Sequence, residues 1–155
     1  MKILLFFLMS VSSDKKYNLS RFLEAQEGDY PRALKEIRNG RKSSCWMWYI
    51  FPQIQGLGVT STTDYYSIKD LNEAKEYMNN EILRGRLIEI SEALLGLETN
   101  DPHAVLGYPD DLKLKSCMTL FGIAAPDQDV FQKVLDKYYN GERDEKTIEK
   151  LKGQI

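Results

Sequence analysis

Histidine occurs once and cysteine twice in the chain, and these scarcities remove several chemistries at the outset. His103 cannot build a Cys/His zinc cluster with Cys45 and Cys117, whose spacing is not that of metal ligands, so no metal is expected. Two cysteines are too few for a disulfide framework, and such usage is that of a cytoplasmic protein. Charge of one sign is also lacking. With 21 basic and 23 acidic residues the formal net charge is −2, so no global basic field exists and no nucleic-acid partner is expected. No apolar run approaches the roughly 20 residues of a spanning helix, so no membrane partner is expected either. The run from Ile3 to Met9 resembles the core of a short secretory signal but lacks a small-residue cleavage site. Residues 1–16 therefore read as an N-terminal extension, with Met9 as an alternative initiator, ahead of a single domain over 17–155.

Helix signals are abundant in that domain. Asn18 is placed to cap a short helix through Gln26, and Asp29 a second one with Pro31 in its first turn, ending at Gly40. Asp70 with Glu73 makes a capping pair for a helix through Met78. Leu83, Leu87, Ile90, Leu94 and Leu97 step by four and three residues, an apolar seam that has to face a core. Further helices are expected from Asn100–Pro102 to Gly107, from Tyr108–Asp110 through Leu120, from Asp127 to Gly141, and from Asp144 through Leu151. The stretch Gly56–Leu57–Gly58 and the tract Thr60 to Thr63 read as an irregular loop. No segment shows the alternation of a half-exposed strand. The expected fold is all-α, one compact multi-helix domain.

One stretch stands apart: GRKSSCWMWYIFPQIQGLG, Gly40 to Gly58, which holds both tryptophans. Ser43 or Ser44 is placed to cap a turn of helix over Cys45 to Phe51, and Pro52 would end it. Arg41 and Lys42 precede two serines, a pattern able to hold an anion, although cations are equally at home behind a helix C-terminus. The spacing is not that of a P-loop, because the glycines are missing. Trp46 and Trp48 offer stacking faces but lie in a run apolar enough to be core. Gln53 is the polar exception, suited to orienting a ligand or to satisfying buried backbone. Cys45 is either a nucleophile beside cations or a small buried hydrophobe; His103, the one available base, lies on another element. Asp110, Asp111 and Lys113 make a second polar cluster. Both aspartates are explained by capping, and the functional alternative is acid/base work with Lys113 stabilising charge.

The motifs RFLEAQ (Arg21 to Gln26), the Gly40–Gly58 stretch, YSI (Tyr66 to Ile68), YPDDLKLKSCMTLF (Tyr108 to Phe121) and YYNGERDEKTIEKL (Tyr138 to Leu151) together resemble the uncharacterised bacterial family called domain of unknown function 1810. The resemblance runs from about Tyr17 onward and implies a mainly helical single domain, with residues 1–16 outside it. Similar family members usually carry histidine where this chain has Cys45. The expectation is a domain binding a small anionic ligand, nucleotide- or sugar-phosphate-like, through Arg41, Lys42, Cys45, Trp46, Trp48, Gln53, Gly56 and Gly58, with no cofactor. The alternatives are an enzyme using Asp110, Asp111 and Lys113 on such a ligand, and a protein-interaction module.

Overall fold

The computed structural model describes residues 16–155; the expectation of an N-terminal extension, all but Lys16, lies outside the described residues. Nine helices follow one another among them: α1 (Ser20–Arg38), α2 (Met47–Ile50), α3 (Ser61–Tyr66), α4 (Leu71–Asn79), α5 (Glu81–Leu95), α6 (Pro102–Leu106), α7 (Asp110–Ala124), α8 (Val130–Tyr139) and α9 (Glu145–Lys150). The only extended pairing among the described residues is an isolated parallel bridge between Ile54 and Ile68. The fold is all-α and forms one domain. None of the described helices is long and apolar enough to cross a membrane.

Helix α7 is the axis of the packing. Leu114, Cys117, Met118, Leu120, Phe121 and Ala124 are all buried, and α4, α6, α8 and α9 pack around it. A helix apolar on most of its circumference has to lie inside, which is why this stretch shows no clean amphipathic period. Helix α5 turns Leu83, Leu87, Ile90 and Leu94 inward against α1, α4 and α8. The seam ends there, because Gly96 terminates the helix and Leu97 lies beyond it, half-buried. Asn80 caps α5, accepting from the Ile82 and Leu83 amides.

Helix α1 corrects the expected two-helix reading. It runs unbroken for 19 residues with Pro31 inside it. Phe22, Gln26, Tyr30, Ala33 and Ile37 keep one continuous buried face across the proline. An interior proline costs about 3 kcal/mol, whereas each large apolar side chain buried on that face returns about 1.5–3 kcal/mol. Asp29, freed from capping, pairs instead with Arg32 at 2.7 Å.

Three local readings also change. Thr60 to Thr63 is not loop: Thr60 caps α3 by accepting from the Thr63 amide at 3.1 Å. The tryptophan-rich helix begins only at Met47, and neither Ser43 nor Ser44 caps it. Helix α8 opens at Val130 after Asp129 rather than at Asp127. The predicted capping by Asp70 and Asp144 is present, each accepting from the amide three residues on.

Candidate functional site

The Gly40–Gly58 stretch is anchored by a residue without an evident sequence signal. Glu36, on the buried side of α1, accepts from the amides of Ser43 (2.7 Å) and Ser44 (3.1 Å), from the Ser44 hydroxyl (2.6 Å) and from the Trp46 indole N–H (2.9 Å). Burial opposes its ionisation, but the four hydrogen bonds outweigh burial and hold its carboxyl down at about 2. Trp46 is fully buried, so its N–H has to find a partner, and Glu36 supplies one. Both serines are therefore committed to Glu36 through their amides.

Beyond this hub the chain folds back on α7. The Lys42 amide donates to the Val105 carbonyl at 2.7 Å, and its ammonium pairs with Asp110 at 2.8 Å while lying over the Trp46 ring. Lys113, one turn along α7, sits 3.8 Å from the other Asp110 oxygen and over the Trp48 ring. Asp110 thus lies between two lysines. Neither aspartate occupies the N-cap of α7, which is Pro109 with no side-chain bond; within the first turn Asp111 accepts from the Leu112 amide at 3.0 Å.

A second anchor shapes the opposite side. Arg21 and Glu73 form a buried ion pair at 2.9 Å. Arg21 also donates to the carbonyls of Tyr65 (2.8 Å) and Ser67 (2.9 Å), which fixes the end of α3. Ile68 then donates to the Gln53 carbonyl and accepts from the Gln55 amide, tying the segment after Pro52 to the same place. The conspicuous Arg21 of the RFLEAQ motif is therefore a structural clamp, as is Gln26, which donates to the Tyr49 carbonyl at 2.8 Å.

Between the two anchors lies a cleft with about 230 Å³ of empty space, counted out to bulk solvent. Buried Met47, Phe51, Thr63 and Ser67 make its floor, and half-buried Trp48, Gln53, Tyr66 and Lys113 its rim. The space it encloses is about 10 Å³, that of one water. The polar heads at the rim are unspent: among the described residues the Trp48 N–H, the Gln53 amide and the Tyr66 hydroxyl make no hydrogen bond. Burial, then the neighbouring Tyr65, raises the Tyr66 phenol, so it stays an O–H donor at neutral pH. On the floor, Thr63 Oγ1 accepts from the Thr60 hydroxyl at 2.8 Å.

The structure thus gathers Trp48, Gln53 and Lys113 at one cleft, with Lys42, Trp46 and Asp110 immediately behind. It leaves the other candidates apart. Arg41 is exposed and its side chain has no polar partner among the described residues. Cys45 is exposed, off the cleft lining, and makes no contact with His103. His103 instead lies 3.7 Å from Asp111. Gly56, at φ +94°, packs on Lys150 of α9, and Gly58 packs on Thr63, where an added methyl group would collide at 2.0 Å. Thr63, Tyr66 and Ser67 were passed over by sequence reasoning; the YSI motif held two of them, but nothing in their types marked a site. No three His, Cys, Asp or Glu side chains converge as metal ligands among the described residues.

Comparison with known proteins agrees with this architecture. The crystal structure of the conserved hypothetical protein Rv1873 from Mycobacterium tuberculosis superposes with a TM-score of 0.86 at 38% identity, covering 88% of this chain and 97% of that one. No curated protein matches the chain. The family model described as "Protein of unknown function (DUF1810)" matches residues 16–151, nearly the whole described chain. The chain belongs to the DUF1810 family.

Proposed function

We propose that the protein binds a small anionic ligand at the cleft between α2, α3 and the start of α7. The observation that carries this reading is the set of unspent polar heads on its rim. Side-chain polar atoms shut off from solvent are all paired among the described residues, whereas the Trp48, Gln53 and Tyr66 heads, open at the rim, have no protein partner. Donors predominate there, and the Lys113 ammonium adds a positive charge, so the complementary group is an electron-rich, anionic one. The cleft encloses only about 10 Å³, room for one water, against the roughly 300–1,000 Å³ of pockets that engulf a ligand. A ligand would therefore be held by the groups at its rim and not enclosed. Asp110 is engaged by both lysines, an arrangement that holds cations in place rather than one that readies a base.

A thermal-shift screen against phosphorylated metabolites and carboxylates tests this directly, since a ligand of the native state raises stability. At 100 times its Kd a ligand adds about 2.7 kcal/mol. The expected result is a stabilising compound whose effect is lost in Lys113→Ala and retained in Arg41→Ala. Loss in Arg41→Ala with retention in Lys113→Ala would move the site to the exposed helix end and end this assignment.

A further inference from the structure

Resting on that reading, we infer that the ligand is a mononucleotide and that Gln53 selects its base. The cleft rim combines two aromatic side chains, Trp48 and Tyr66, with a primary amide that has no protein partner. An aromatic face stacks on any planar base. A glutamine amide presents a donor and an acceptor side by side, the pattern that pairs with the donor–acceptor edge of a nucleobase. A sugar can lay a C–H face on an aromatic ring but has only hydroxyls, not such a planar donor–acceptor edge. A bare phosphate uses only the cation.

The backbone explains how Gln53 is held for this task. Its carbonyl accepts from the Ile68 amide at 2.9 Å, while the next residue but one donates back to the Ile68 carbonyl at 2.8 Å. The main chain is thereby fixed and the side chain left unbound. Gln26 provides the internal control: its amide is buried and engaged by the Tyr49 carbonyl, the Tyr77 hydroxyl and Arg86. Lys113 then lies on the same rim for the phosphate, steadied by Asp110 at 3.8 Å and by the Trp48 face. The base stacks outside on the rim, because the cleft itself encloses only about 10 Å³, the space of one water.

The test is a titration of the protein with the four common nucleoside monophosphates, ribose 5-phosphate and inorganic phosphate, followed by calorimetry and by the two tryptophan indole N–H resonances. Trp48→Phe assigns those resonances. At least one nucleoside monophosphate is expected to bind at least tenfold more tightly than ribose 5-phosphate, moving the Trp48 signal and sparing that of Trp46. Gln53→Ala and Gln53→Met are each expected to lower that preference by about tenfold, with ribose 5-phosphate binding unchanged. Melting temperatures matching the wild type establish that both variants are folded. Equal binding of ribose 5-phosphate and the nucleotides, or equal losses for both on Gln53 substitution, overturns the base-selection inference while leaving an anion site. Binding of no compound in the series, phosphate included, overturns the anion reading and this inference with it.

Discussion

Trp46 and Trp48 are two residues apart and face opposite circumstances. Trp46 is fully buried, its N–H committed to Glu36 and its ring covered by Lys42. Trp48 is half-buried at a cleft, its N–H uncommitted and the Lys113 ammonium 5.7 Å from its ring centre. The same contrast separates Gln26 from Gln53 and Tyr49 from Tyr66, since the Tyr49 hydroxyl donates to Asp29. In each pair one member closes the fold and the other is left open to an incoming group. Residue type does not distinguish them; hydrogen-bond satisfaction does.

The largest effect that should expose this division comes from Glu36→Ala. It strands the Trp46 indole N–H and two backbone amides, and a loss of about 3–5 kcal/mol is expected in urea denaturation. A loss below about 1 kcal/mol would mean that the Trp46 side of the segment is no anchor.

Acid should act through the same group. Because the folded carboxyl lies at about 2 against an ordinary 4.5, its contribution is fully present above about pH 4.5 and is lost as pH falls towards about 2. The contribution is on the order of 3 kcal/mol. Denaturation of wild type and Glu36→Gln at stepped pH checks the sign: the two stability curves should converge on acidification, and parallel curves would contradict it.

A smaller and more discriminating comparison uses the two glutamines. Gln26→Ala removes three hydrogen bonds of a buried side chain and should cost about 1–3 kcal/mol. Gln53→Ala removes none and should stay within about 0.5 kcal/mol. If thermal denaturation shows the two variants equally destabilised, the distinction between closed and open halves of the segment fails.

Much of the helical framework was legible beforehand because its signals are local. Asp70, Asp101 and Asp144 each cap the helix expected of them, and the α5 seam is a period readable in one window. Pro31 was misread because its penalty is local while the compensation, burial of Phe22, Ala33 and Ile37 against distant helices, is not. Helix α3 was missed although Thr60 is an ordinary capping type, since a run of Thr and Ser carries no apolar period to announce a helix. Of the candidate residues, Trp48, Gln53 and Lys113 line one cleft. Gly56 and Cys45 were singled out with equal reason and lie elsewhere.

The sequence by itself determined the class of fold, the helix caps and the conspicuous stretch from Gly40 to Gly58, all of which rest on residue type and short-range spacing. Only the tertiary structure decided which half of that stretch is closed and which is open. That depends on Glu36 reaching back from α1 to Trp46, on Arg21 holding the end of α3, and on Asp110 drawing two lysines together. Each is a pairing of charged or polar groups set by which helices pack side by side.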